Sequence, residues 1–136
     1  MSDPVLEVQA ALIAYLRGQA SLTAWLGDPV RVYDQVPKRV VYPYVTFGRV
    51  RTQSIGGIGP DVTEQVVNLL CVSRYDGTGE VKAMAAELRA LLDEVELGLD
   101  GQHLVSLRVA YVDVFRATDY RTIYGVVRLR AVSEAA

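Results

Sequence analysis

Near the start of the chain the apolar positions Val5, Val8, Leu12 and Leu16 form a stripe that Ala11 and Ile13 widen, the spacing of one helix face. Asp3 followed by Pro4 supplies a cap and a first-turn proline, and Gly18 a stop, so a helix is predicted to about Arg17. A second, short helix follows, capped by Ser21, carrying Leu22, Trp25 and Leu26, and closed by Gly27 and Asp28-Pro29. The period then changes. Val30 to Tyr33 reads as a short strand, Asp34 to Arg39 as a turn, and Tyr44 to Arg51 as a longer strand with Pro43 at its start, where a residue without an N–H breaks no ladder. Thr52 to Pro60, TQSIGGIGP, has glycines, a proline and no sustained pattern, and is expected to be a mobile loop. Val62 to Ser73 is so apolar that it reads as a central strand covered on both faces.

Val81, Met84, Ala85, Leu88, Leu91, Leu92 and Val95 recur at helical spacing after the opening Tyr75-Asp76-Gly77-Thr78-Gly79, with Lys82, Glu87, Arg89 and Asp93 opposite them. The turn signal Asp100-Gly101 introduces a strand from Gln102 to Phe115, in which Val105, Leu107, Val109 and Tyr111 alternate with Ser106, Arg108 and Ala110. A last strand, Thr122 to Val132, sets Val127, Leu129 and Ala131 against Arg128 and Arg130, and is expected to pair with the previous one as a hairpin. The order of elements implies an α+β fold: a mainly antiparallel sheet of about five strands, packed by an N-terminal helix, a short second helix and a long helix between strands three and four.

Composition narrows the reading. With 136 residues, 51% apolar and 22% charged, the chain is expected to form one domain over residues 1–136. The N-terminus MSDPVLEV lacks the basic and apolar regions of a secretory signal, and no apolar run is long enough for a bilayer, which suggests a protein folded in cytoplasm and no membrane partner. A formal charge of −2 gives no general attraction to nucleic acid. The single cysteine, Cys71, falls in the run VVNLLCV and reads as a buried small side chain.

Candidate chemistry is sparse. His103 is the only histidine and has no metal-ligand or acid–base companions in sequence, so it reads as a hydrogen-bonded turn residue; no catalytic, cofactor or metal residue is assigned. IGGIGP lacks the Lys-Ser or Lys-Thr and following helix of a phosphate loop. Asp76-Gly77-Thr78-Gly79-Glu80 opens a helix but carries acids where a phosphate wants bases, which favours capping. Arg49, Arg51, Arg108, Arg128 and Arg130 suggest a basic strip, for which a solvated face balanced by Glu64, Asp113 and Asp119 is the favoured account. Eight tyrosines against two phenylalanines put polar-tipped rings at strand ends and turns (Tyr33, Tyr42, Tyr44, Tyr75, Tyr120, Tyr124), a pattern shared by interfaces and core rims.

Taken in order, LTAWLGD, RVYDQVPKRVVYPYVTFG, VVNLLCVSRYDGTGEVKAMAAELRALLD, DGQHLVSLRV and RTIYGVVRLRAV resemble the small tail terminator, or head-to-tail joining, proteins of long-tailed bacteriophages and gene transfer agents, over nearly the whole chain. The resemblance implies a structural virion protein without cofactor or catalytic motif. It implies a homo-oligomeric ring, usually hexameric, at the head–tail junction of a phage or gene transfer agent particle, assembled in the host bacterial cytoplasm. Its partners would be the tail tube protein and the head connector, with no specific nucleic acid bound although DNA passes through the ring. Other readings are a different neck or tail connector component, or a small nucleic-acid-binding regulatory domain using the arginines. A ring needs two different patches that meet. The edge bearing Tyr33, Asp34, Pro37 and Tyr44 is the candidate subunit interface, its prolines guarding an apolar edge from indiscriminate pairing. Arg51, Gln53, Ser54, Ile55, Gly56, Gly57, Ile58 and Gly59 are the candidates for contact with the tail tube or ring lumen.

Overall fold

A computed structural model describes residues 3–55, 61–74, 77–119 and 121–135. Helix α1 spans Pro4–Arg17; Asp3 Oδ1 accepts the Val5 and Leu6 N–H groups at 2.8 and 3.4 Å, and Pro4 occupies the first turn. Val8, Leu12 and Leu16 are its buried stripe. A 3₁₀ turn, Ala20–Leu22, leads into α2, Thr23–Leu26. Ser21 does not cap this helix as expected: it lies inside the 3₁₀ turn and its hydroxyl donates to Glu87. Gly27 ends α2 at φ 76°, a left-handed backbone that favours glycine, and a Cβ there would also displace the Arg31 guanidinium.

The strands are β1 (Val32–Tyr33), β2 (Tyr44–Ser54), β3 (Val62–Ser73), β4 (Gln102–Arg116) and β5 (Ile123–Ala135), and α3 (Gly79–Leu92) lies between β3 and β4. They form a five-stranded sheet in the order β1-β2-β3-β5-β4, in which only the β1–β2 pair is parallel. This is the α+β, mainly antiparallel layout that the element order implied.

The core lies on one face. Val45, Val67, Leu69, Cys71, Leu107, Ile123, Val127, Leu129 and Ala131 project from the sheet into the stripes of α1, α2 and α3 to make one buried cluster. Polar ties fix the helices over it: the Tyr15 hydroxyl donates to the Leu91 carbonyl and Gln65 Nε2 to the Pro4 carbonyl, both at 2.8 Å. β3 is central as expected, but helices cover only one of its faces. Its other face carries Val66, Asn68, Leu70 and Val72, of which Asn68 and Val72 are buried without belonging to the helix-side core.

Three irregularities correct the simple alternation. β-bulges interrupt β2 between Phe47 and Val50, and β4 between Leu104 and Ser106 and between Val109 and Tyr111. Each adds a residue and shifts the side-chain phase. Val105 and Tyr111 therefore do not join Leu107 on the core face; they are 52% and 45% exposed, against 1% for Leu107. β2 also runs to Ser54, so Thr52 to Ser54 are ladder residues opposite Gln65, Glu64 and Thr63 rather than loop. α3 stops at Leu92, and Val95 reaches the core from an extended segment instead. Its N-cap Thr78 makes no side-chain capping bond; the first-turn Glu80 accepts from Ser73 at 2.7 Å.

Gly125 on β5 lies under α3, where a Cβ would come within 3.1 Å of Val81 Cγ1 and 3.5 Å of Cys71 Cβ. Gly125→Val should destabilise the fold by about 1–3 kcal/mol, the usual cost of overpacking, measured as a lowered urea midpoint with the slope unchanged.

Candidate interaction surface

On the face without helices, four strands place side chains in one register row: Tyr44 on β2 opposite Val72 on β3, Val72 opposite Tyr124 on β5, and Tyr124 opposite Phe115 on β4. The Phe115 and Tyr124 ring centres are 5.5 Å apart. At the β2 end of the row Tyr44 lies 6.1 Å from Tyr33 and 5.4 Å from Tyr42, and the Arg74 guanidinium lies 4.6 Å over the Tyr42 ring. Tilted rings at such distances attract by about 0.5–1.5 kcal/mol beyond their burial. Burial, aided by Tyr42 and Tyr124 and opposed by Arg74, raises the Tyr44 phenol above its ordinary range.

The corner holding this cluster is fixed by Arg31. Its Nε donates to the Pro43 carbonyl at 2.9 Å and its Nη2 to the Trp25 carbonyl at 3.0 Å, joining α2, β1 and the start of β2. Arg17 Nη2 donates to the Val32 carbonyl at 2.8 Å, which closes part of the β1 edge. Of the interface candidates, Tyr33 and Tyr44 thus belong to one cluster, Asp34 follows β1 as an exposed carboxylate, and Pro37 lies exposed in the connection beyond it.

The loop candidates divide differently. Arg51, Gln53 and Ser54 are exposed positions of β2, with Gln53 Nε2 donating to Glu64 Oε1 at 3.2 Å. Ile55, 44% exposed, donates its N–H to the Val62 carbonyl. Gly56, Gly57, Ile58 and Gly59 lie outside the described residues, as do Tyr75 and Tyr120. Phe115, Val72 and Arg74 were not candidates, although pairing the hairpin in register would have set Phe115 beside Tyr124.

The arginines do not make a free strip. Arg128 Nε donates to Asn68 Oδ1 at 2.9 Å, Asn68 Nδ2 to the Arg49 carbonyl at 2.9 Å, and the Arg128 guanidinium lies 4.5 Å over the Tyr111 ring, a polar chain across four strands. Arg130 Nε donates to Glu64 Oε2 at 2.9 Å. Arg108 reaches around the sheet edge to Asp93 and Glu94 at 3.4 and 3.3 Å. Glu64 is a balancing acid as expected, whereas Asp119 closes the β4–β5 connection by accepting the Arg121 and Thr122 N–H groups.

His103 is the second residue of β4, exposed and opposite Glu134, rather than a turn residue. Among the described residues no group of His, Cys, Asp or Glu is placed to hold a metal ion, and no helix is long and apolar enough to cross a membrane. What the surface offers is rings, apolar side chains and paired charges across an uncovered sheet, the equipment of a contact with another protein.

The sequence profile of the tail completion protein gp17 family matches residues 10–134. The chain belongs to this family. It is a structural protein of a phage-type tail, and its place is in the virion at the tail. A chain of the virion of a native gene transfer agent (GTA) particle has the same fold, with a TM-score of 0.89 and 24% identity over 96% of this chain and 97% of that chain. No curated protein matches it. In this tail completion protein the uncovered sheet face and the β1 corner are the surfaces that the helices leave open.

Two solution properties follow from the buried and hydrogen-bonded groups. Burial pushes the Cys71 thiol up to about 12, so it should resist a thiol reagent at pH 8 in the folded protein and react fully in denaturant; rapid reaction of folded protein would contradict its burial. The Asp93 carboxylate accepts the Val109 N–H and faces Arg108, and Asp119 accepts the Thr122 and Arg121 N–H groups, which hold both below the ordinary carboxylate range. Because the folded pKa is the lower one, these anions favour the fold above their unfolded value of about 3.9, and that contribution is lost as pH falls through the folded values. Stability in urea should therefore decline below about pH 4, less steeply in Asp93→Asn/Asp119→Asn.

Proposed function

We propose that residues 1–136 act as a single tail-terminator-like domain that closes into a homo-oligomeric ring, hexameric as the family resemblance implies. The ring caps the head-proximal end of the tail tube, stops its growth and presents the surface to which the head connector joins. Its task is structural and no catalytic step is assigned to it. Membership of the tail completion family supports this reading, and the observation that carries it is the Tyr33–Tyr44–Tyr42 cluster at the β1 end of the sheet.

A ring contact is heterologous, one patch meeting a different one on the next copy. The β1 end suits one side of such a contact: its strand is two residues long, Arg17 holds the Val32 carbonyl, and the connection carries Pro37 and Pro43. Few backbone groups are left for indiscriminate pairing, so side chains decide the partner. Asp34 and the tyrosines are those side chains. Intramolecular engagement of Arg108, Arg128 and Arg130 argues against the nucleic-acid-binding alternative.

Particles carrying Tyr33→Ala/Tyr44→Ala should show overlong tails and unattached heads by electron microscopy, while the purified variant keeps its far-ultraviolet circular dichroism. Tails of normal length joined to heads would remove the β1 corner from the ring interface.

A further inference from the structure

Two exposed apolar patches on the helix layer carry opposite charge. The first holds Leu6, which is 67% exposed on α1, in a shallow depression that it lines with Ala10 and Leu99 and with the acidic residues Glu7 and Asp100. The second is a groove of about 230 Å³ between α3 and the far half of β4. Ala85, Ala86, Val112 and Val114 line it, and Lys82 and Arg89 complete its rim. Val112 is 36% exposed there, and β4 is the last strand of the sheet, so no further strand covers this side.

An exposed leucine between acids and an apolar groove between bases are each costly to leave in water and cheap to join, because burying the apolar centre brings opposite charges together at its rim. They stand on different elements of the same chain. A contact between them joins unlike patches of two copies, as a contact that propagates around a ring does.

We propose that Leu6 of one copy seats in the α3–β4 groove of its neighbour, with Glu7 and Asp100 facing Lys82 and Arg89. This pairing rests on the ring reading and names a contact on the helix layer, separate from the aromatic β1 corner. Arg89 also faces Asp93 of its own chain, which is held by the Val109 N–H, so Lys82 is the more available of the two cations.

The test uses assembled tails from the native source carrying Leu6→Cys/Ala86→Cys. Both positions are exposed and the native Cys71 is fully buried, so mild oxidation reports on this pair alone. The expected result is a ladder of covalent multimers ending at the ring size, absent from either single variant. A ring visible at the tail end by electron microscopy but without the ladder overturns the pairing and leaves the ring reading standing. No ring at the end of unmodified tails overturns both. As a second arm, Lys82→Glu/Arg89→Glu should reduce incorporation into tails at least tenfold, and adding Glu7→Lys/Asp100→Lys should restore it. Failure of the exchange to restore incorporation, with each variant folded by circular dichroism, also overturns the pairing.

Discussion

The sheet has helices on one face only, and the rest of the molecule follows from that asymmetry. Burial of the apolar stripes of α1, α2 and α3 on Leu69, Val127, Leu129 and their neighbours supplies the main favourable term of folding. The opposite face has no such cover and is organised across the strands instead. Arg128, Asn68 and the Arg49 carbonyl satisfy one another in its middle, while Tyr44, Val72, Tyr124 and Phe115 form an apolar row at one end.

The two ends of the sheet are handled differently. At β1 the strand is very short and its corner is lashed by Arg31 and Arg17. At β4 the strand is fifteen residues long and bulged twice, and the segment after α3 covers its edge around Leu107 and Val109 through the Glu94 N–H and the Asp93 carboxylate. Unlike ends suit a contact that runs in one direction around a ring rather than a twofold dimer.

Much of this was legible in the residues because apolar period and turn chemistry agree along most of the chain. Asp3-Pro4, Gly18, Asp100-Gly101 and the stripe from Val81 to Leu92 place their elements within a residue or two. The misread phase of β4 has a plain physical origin: a bulge leaves no mark in the composition of a strand. The alternation that put Val105 and Tyr111 beside Leu107 is broken by two of them, and only pairing with β5 fixes the phase. Thr52 to Ser54 looked like loop because polar residues near glycines suit loops, yet they pair with β3, whose polar residues face them. The aromatic cluster was half visible: Tyr33 and Tyr44 stand near each other in sequence, whereas Phe115 and Tyr124 join the row through cross-strand register.

Family membership fixes the protein as a component of a phage-type tail, and the ring at the head-proximal end is the role proposed for it. Electron microscopy of particles from the native source with this gene deleted, beside the complemented strain, tests that role most directly. Unattached heads together with tails of uncontrolled length, both restored by complementation, are the expected result. Normal, joined particles in the deletion strain would contradict it.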